Sequence, residues 1–245
     1  MKSWILAICV VLALYGSASS SEIEQQESIL YPYKSSVIFQ DEFLSGSTTS
    51  GVIGSLGWGF SNGTTSFLVS ETNRMGILRR DTGAGVGTVT SLRLNINTSA
   101  TFTGNIAHDI LWMVRANNND ADTAIRVGVA TPTFTTDPPT DGIYFEKLYA
   151  DTNWFCVTRS AATGLETRTD STIAVSTNFV TLAHQLVVSP TSSAIFQING
   201  TTVCTHTANI TTVFVSPWTH IVNQVGAAKT LDHDYVQFRV YGLAR

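Results

Sequence analysis

The chain has 245 residues, of which 43% are hydrophobic and 13% charged, so it can bury a sizeable core and lies outside the composition range of disordered proteins. One domain is the simplest organisation, because all-β sandwiches often run to about 250 residues as a single unit. The formal net charge of −4 and the lack of a basic stripe in the sequence argue against nucleic acid as a partner.

Residues 1–20 have the pattern of an export signal. Lys2 supplies the positive start, residues 4–15 are apolar, and residues 16–20 are small, as in a secretory signal peptide with its cleavage zone. A retained membrane anchor is the alternative, but these 12 apolar residues fall short of the roughly 20 that span a bilayer as a helix. We therefore predict a secreted or cell-surface protein with no membrane span after cleavage.

An acidic, amide-rich segment comes next, and we interpret residues 21–36 as an N-terminal tail and residues 37–245 as the packed domain. The apolar stretch at residues 28–33 has two interpretations. It covers an open sheet edge of its own domain, which natural sandwiches must protect, or it adds to the edge of a neighbouring copy. The second interpretation would give self-association into a fibre or particle.

From residue 37 onwards, short runs rich in Val, Ile, Thr, Phe and Tyr alternate with Gly, Asn, Asp, Pro and Ser, which predicts strands and turns. Along residues 235–241, Val236, Phe238 and Val240 share one predicted face. The pair Asn199-Gly200 predicts a tight hairpin. Many antiparallel strands in one domain indicate a sandwich or jelly roll. The clearest predicted strands are residues 111–115, 124–130, 143–149, 154–159, 185–188, 194–198 and 235–241.

Four stretches in order, residues 39–43 (FQDEF), 184–188 (HQLVV), 195–200 (IFQING) and 234–241 (DYVQFRVY), resemble the framework of concanavalin A-like lectins and glucanases. The similarity is greatest to the laminarinase and lichenase group of glycoside hydrolases. The resemblance implies an all-β fold, a two-sheet antiparallel β-sandwich of the concanavalin A-like jelly-roll kind. One fold hosts many functions, so it does not fix an activity.

The related enzymes carry Glu-x-Asp-x-Glu on a central strand, since a retaining glycosidase needs two carboxylates about 5 to 5.5 Å apart. Here the corresponding strand is residues 142–148, and Glu146 is its one carboxylate, with Tyr144 and Leu148 as its same-face neighbours. Asp141 lies an odd number of positions away. We therefore predict no catalytic residue, with a divergent glycoside hydrolase as the remaining enzyme alternative.

A binding role draws on aromatic and charged side chains that a concave sheet could gather into one groove. The candidates are Trp112, Tyr144, Glu146, Trp154 and Arg159, with Trp154 favoured because it follows polar residues at a strand start. The alternative for the aromatic residues is that they belong to the core of the sandwich, where most large aromatics lie. For Glu146 the alternative is an ordinary ion pair with a neighbouring cation.

Two further features concern a metal and a disulfide. Asp234 matches the aspartate that the lichenase-like relatives use at a structural calcium, and a turn or capping aspartate is the alternative; no cofactor is otherwise required. Cys156 and Cys204 remain after signal cleavage. They either form a disulfide, as an exporting compartment permits, or remain as buried small hydrophobic residues.

Four Asn-x-Ser/Thr sequons predict glycosylation sites at Asn62, Asn97, Asn199 and Asn209; chance occurrence is the alternative in a chain rich in Ser and Thr.

Taken together, the sequence favours a secreted, non-enzymatic glycan-binding or adhesive surface module. Its partners would be glycans or a cell-surface or matrix polysaccharide. A structural subunit of an extracellular fibre or particle is the alternative.

Overall fold

A computed structural model describes residues 36–43, 46–47, 52–61, 65–72, 74–94, 102–117, 121–131 and 138–242. The predicted signal, most of the predicted tail including residues 28–33, and the sequon residues Asn62 and Asn97 lie outside the described residues. The chain divides into two compact units, residues 37–240 and residues 1–36 with 241–245. Nearly all of the described residues belong to the first unit.

Every regular element in the described ranges is a β-strand, as the spacing of β-rich runs and turn residues requires. None of the described residues forms a helix long and apolar enough to cross a membrane. The strands are β1 (Ser36–Asp41), β2 (Gly46–Ser47), β3 (Val52–Ile53), β4 (Trp58–Ser61), β5 (Thr65–Glu71), β6 (Arg74–Asp81), β7 (Val89–Leu94), β8 (Phe102–Thr103), β9 (His108–Ala116), β10 (Thr123–Ala130), β11 (Gly142–Lys147), β12 (Asn153–Ser160), β13 (Leu165–Ala174), β14 (Val180–Val187), β15 (Ser193–Ile198), β16 (Thr201–His206), β17 (Phe214–Asn223) and β18 (Thr230–Tyr241).

These strands form two antiparallel sheets. The eight-stranded sheet has the order β16-β15-β14-β9-β18-β6-β5, with β1 paired to β18. The ten-stranded sheet has the order β13-β12-β11-β10-β17-β7-β4-β3-β2, with β8 paired to β17. Strands that are distant in sequence lie side by side, such as β10 and β17, which is the crossing connectivity of a jelly roll. The predicted two-sheet β-sandwich is confirmed.

The seven strands predicted from the sequence correspond to β9, β10, β11, β12, β14, β15 and β18, with differences at their ends. In β18, Val236, Phe238 and Val240 are buried and the residues between them are partly exposed, as the alternating pattern predicted. Asn199 and Gly200 have φ values of 49° and 79°, so both central positions of the hairpin are left-handed, as a type I′ turn requires.

The core lies between the two sheets and is built from aromatic rings. Phe145 of the ten-stranded sheet meets Phe196 of the eight-stranded sheet edge-on, with ring centroids 5.3 Å apart. Trp58 and Trp112 meet in the same way at 5.4 Å. A disulfide joins Cys156 on β12 to Cys204 on β16 and so links the two sheets covalently.

Candidate ligand-binding site

The two faces of the ten-stranded sheet can be told apart by the contacts of β17. Thr219 Oγ1 lies 2.8 Å from Nε2 of His233, which belongs to the eight-stranded sheet, so Thr219 points into the sandwich. Because side chains alternate along a strand, Trp218 and His220 point to the opposite side. We call that side the outer face of the ten-stranded sheet.

Pairing registers place further residues on the outer face. On β10, Gly128 pairs with both Tyr144 of β11 and Trp218 of β17. Directly paired residues share a face of the sheet, so Tyr144 lies on the outer face with Trp218. By the same registers, Arg126 of β10 pairs with both Glu146 and His220.

The buried polar atoms on the outer face that have no hydrogen-bond partner within the described part of the chain include Tyr144 Oη, Trp218 Nε1 and His220 Nε2. The Tyr144 and Trp218 rings meet edge-on at 6.2 Å, and the Trp218 and His220 rings stack at 5.0 Å. The three residues are therefore neighbours. Most buried polar atoms in proteins are hydrogen-bonded, so a cluster of three that are not points to a ligand or bound water.

Gly128 makes this arrangement sterically feasible. A Cβ atom added to it would lie 2.4 Å from the carbonyl oxygen of Ile143 and 2.6 Å from Cα of Tyr144. Only a residue without a side chain fits between Tyr144 and Trp218, because any other would push β11 away from β10.

Glu146 lies beside the cluster and is held on both carboxylate oxygens. Arg126 Nε donates to Oε1 at 2.7 Å and Arg168 Nε donates to Oε2 at 2.7 Å. Arg168 also pairs with Asp151, and its guanidinium lies 3.5 Å from the centre of the Phe155 ring. Glu146 and Arg126 are buried, so this is a largely desolvated ion-pair network.

Burial shifts the two ionisable groups of the cluster toward their neutral forms. The pKa of Tyr144 is raised, mainly by burial and then by the charge of Glu146. The pKa of His220 is lowered to about 3, mainly by burial and then by the charge of Arg126. At neutral pH the cluster therefore presents a phenol, an indole and a neutral imidazole, and the His220 Nδ1 lies 2.7 Å from Ser91 Oγ.

Two of the expected ligand-binding aromatics lie on the inner side of their sheets. Trp112 and Trp154 are each 1% exposed. Trp112 packs against Trp58, and Trp154 lies on the same side of β12 as Cys156, whose disulfide reaches the opposite sheet. Both rings therefore lie between the sheets, on the face opposite to the cluster, and pack in the core.

The other three expected residues lie on the outer face. Tyr144 and Glu146 belong to the cluster and its ion network, while Arg159 is partly exposed and pairs with Glu166 of β13 at 2.7 Å. The sequence did not indicate His220 as a site residue, because a single histidine in an apolar strand belongs to no motif. For Trp218, the sequence did not indicate which face of its sheet the ring occupies.

The remaining predicted positions are partly described. Asp234 pairs with Arg74, so a calcium ion there would have to displace a guanidinium. In the described ranges no group of three or more His, Cys, Asp or Glu side chains is arranged to hold a metal. Asn199 is exposed, whereas the side-chain nitrogen of Asn209 donates to Thr167 Oγ1 at 3.0 Å.

The fold is a two-sheet jelly roll of the concanavalin A-like kind, and solved structures of a glucanase and of a carbohydrate recognition domain have the same fold. No family model matches the chain and no curated protein matches its sequence. Solved structures, however, match its fold. A protein of unknown function, SO2946 from Shewanella oneidensis MR-1, has a TM-score of 0.60 at 13% identity, covering 94% of this chain and 98% of that one.

Two structures with described activities show the same fold. An endo-1,3-β-glucanase from Streptomyces sioyaensis has a TM-score of 0.57 at 13% identity, covering 85% of this chain and 97% of the other. The carbohydrate recognition domain of Emp47p has a TM-score of 0.53 at 11% identity, covering 84% and 96%. At such low identity the likeness establishes the fold and leaves the activity to be argued from the site.

Proposed function

We propose that this protein is a secreted, non-enzymatic glycan-binding or adhesive module, and that its ligand binds on the outer face of the ten-stranded sheet. The observation that carries the proposal is that three neighbouring residues each have a buried polar atom, Tyr144 Oη, Trp218 Nε1 and His220 Nε2, without a hydrogen-bond partner among the described residues. Leaving such atoms unsatisfied costs about 1 to 3 kcal/mol each, and a ligand with several oxygen atoms would recover that free energy.

A glycan suits this chemistry. Sugars present many oxygen atoms for hydrogen bonds and apolar ring faces that pack on aromatic side chains, and the cluster combines both kinds of contact. Proteins with the same fold include an endo-1,3-β-glucanase and a carbohydrate recognition domain, which supports a glycan as the ligand.

The environment of Glu146 supports binding without hydrolysis. A retaining glycosidase needs a nucleophile and an acid/base about 5 to 5.5 Å apart, and both oxygens of Glu146 already accept bonds from Arg126 and Arg168. Of the nearby carboxylates, Asp151 pairs with Arg168 and Glu166 with Arg159. Carboxylates held by guanidinium groups are poorly placed to attack an anomeric carbon or to transfer a proton.

Secretion is supported by the disulfide as well as by the predicted signal peptide. The bridge between Cys156 and Cys204 is of a kind that persists in extracellular and other oxidising compartments and is rare in the cytosol. A cell-surface or matrix polysaccharide is accordingly the partner that we propose.

A glycan array tests the proposal with the purified protein, with and without calcium, alongside Tyr144→Phe. That substitution removes one hydroxyl and keeps the ring, so we expect about tenfold weaker binding. Because the lost hydroxyl has no partner, the free energy of unfolding should stay level or rise. The matched control is Tyr235→Phe on β18 of the other sheet, which should bind as the unmodified protein does.

The cluster is buried, so the ligand must gain access to it, and association should be slow, as it is when binding requires a conformational change. A blank array would refute glycan binding and favour the structural-subunit function. Release of reducing ends from a bound oligosaccharide, lost in Glu146→Gln, would instead show a glycosidase.

A further inference from the structure

The cluster is made of hydrogen-bond donors. The indole Nε1 of Trp218 can only donate. Tyr144 is protonated at neutral pH, since its pKa is raised further above the ordinary value, so its hydroxyl has a proton to donate. His220 is neutral, so its imidazole carries one proton. When the Ser91 hydroxyl donates a hydrogen bond to Nδ1, the proton of the imidazole lies on Nε2. Each of the three atoms can then donate a hydrogen bond to a ligand.

Acceptors are scarce beside these donors. The nearest carboxylate in the pairing register is Glu146, two residues from Tyr144 on β11, and both of its oxygens already accept bonds from guanidinium groups. Each hydroxyl of a neutral sugar brings a hydrogen that needs an acceptor. A ligand group that only accepts fits the site better than a hydroxyl.

Positive charge lies at the Trp218–His220 end of the cluster, whereas the charge of Glu146 acts at the Tyr144 end, where it raises the pKa of Tyr144. In register, Arg93 of β7 pairs with Trp218 and Arg126 of β10 pairs with His220. Both arginines are buried, and Glu146 is the one acidic residue in register with Arg126 on β11. The positive field of Arg126 also contributes to the lowered pKa of His220. In a desolvated setting such a field is screened little by salt.

We propose that the ligand is a sugar bearing an anionic, acceptor-only substituent, a carboxylate or a sulfate, which accepts hydrogen bonds from Tyr144 Oη, Trp218 Nε1 and His220 Nε2. This inference rests on the proposed glycan-binding function and narrows its ligand class. The carboxylate of a uronic acid and the sulfate ester of a sulfated sugar share the chemistry that the site selects.

Titration calorimetry with four polymers tests it: polygalacturonate, the same polymer after reduction of its carboxyl groups to alcohols, dextran sulfate, and dextran. We expect at least one anionic polymer to bind about tenfold or more tightly than its neutral counterpart, since a hydrogen bond to a charged group is stronger than one between neutral groups. The two anionic polymers distinguish carboxylate from sulfate.

Two variants locate the interaction. Tyr144→Phe should weaken binding of the preferred anionic polymer about tenfold or more, and Tyr235→Phe should leave it unchanged. Equal or tighter binding of the neutral polymers would overturn the anionic preference while leaving glycan binding intact. Anion binding that is insensitive to Tyr144→Phe would overturn the assignment of the site. Failure of all four polymers together with a blank glycan array would overturn the proposed function itself.

Discussion

Replacing His233 with glutamine should flatten the acid dependence of stability. His233 lies inside the sandwich on β18, where Nε2 is 2.8 Å from Thr219 Oγ1 and Nδ1 is 3.3 Å from the carbonyl oxygen of Leu78. Burial, the largest cause, lowers its pKa from 6.5 to about 4, and the positive charge of Arg80 acts in the same direction. Glutamine can still bond to Thr219 and does not titrate.

The sign follows from where the proton binds. The unfolded histidine takes up a proton below its pKa of 6.5, whereas the buried one does so below about 4. Its contribution to stability is therefore fully present above pH 6.5 and is lost as the pH falls toward 4. The slope reaches about 1.4 kcal/mol per pH unit, and the loss at about pH 5 is about 2 kcal/mol.

The other histidines add to this effect. Burial also lowers the pKa of His108 to about 4 and that of His220 to about 3. The contribution of each to the free energy of unfolding therefore falls by a similar amount at about pH 5. The three together lose about 6 kcal/mol, against a total stability of about 5 to 15 kcal/mol for a typical domain. The pKa values of His184 and His206 are lowered too. Mild acid should therefore strongly destabilise the protein.

Urea denaturation followed by tryptophan fluorescence, repeated from about pH 7.5 to about pH 5, measures the effect as a slope of unfolding free energy against pH. The slope for His233→Gln should be lower than that of the unmodified protein by up to about 1.4 kcal/mol per pH unit. Thr219→Val is the control, because it removes the hydroxyl partner but keeps the imidazole; it should lower stability without changing the slope. Parallel slopes for His233→Gln and the unmodified protein would refute the argument.

Two further predictions concern the scaffold. Changing Cys156 and Cys204 together to alanine opens a loop with a sequence separation of 48 and should lower the free energy of unfolding by about 4 kcal/mol in urea denaturation; an unchanged midpoint would contradict it. Gly128→Ala places a Cβ 2.4 Å from the Ile143 carbonyl oxygen and should cost about 1 to 3 kcal/mol or prevent folding. The control Gly226→Ala, whose nearest contact is 3.6 Å away, should be nearly neutral in the same assay.

The strands that could be predicted from the sequence are those with clear β-rich runs between turn residues. Two long strands, β13 and β17, were not predicted, for opposite reasons. β13, Leu165–Ala174, is exposed along most of its length and polar, as expected at a sheet edge, so it has no apolar face to detect. β17 contains Pro217, which argues against a central strand. On the side away from β10, β17 pairs with β7 only from Trp218 onward and with β8 only at Phe214 and Val215, and that gap accommodates the missing N–H of the proline.

The site was harder to predict than the fold, because its strands are buried on both faces. All residues of β10 and β11 are buried, so apolar and polar positions do not alternate and the sequence does not indicate which face a residue occupies. Trp154 and Trp218 look alike in the sequence, yet one lies between the sheets and the other on the outer face. Only the pairing of the strands shows which face each ring occupies.

Charged residues of the outer face pair with one another, whereas Tyr144 Oη, Trp218 Nε1 and His220 Nε2 have no hydrogen-bond partner among the described residues. Arg126, Glu146, Arg168 and Asp151 are linked in one ion-pair chain across β10, β11, β13 and the turn after β11. Buried ion pairs of this kind add little net stability, although removing one partner is costly, so their main effect is to fix the positions of the strands that carry them. Both oxygens of Glu146 accept bonds within that chain, so Glu146 is poorly placed for hydrolysis. The glycan binding that we propose needs only donors that the strands hold in place.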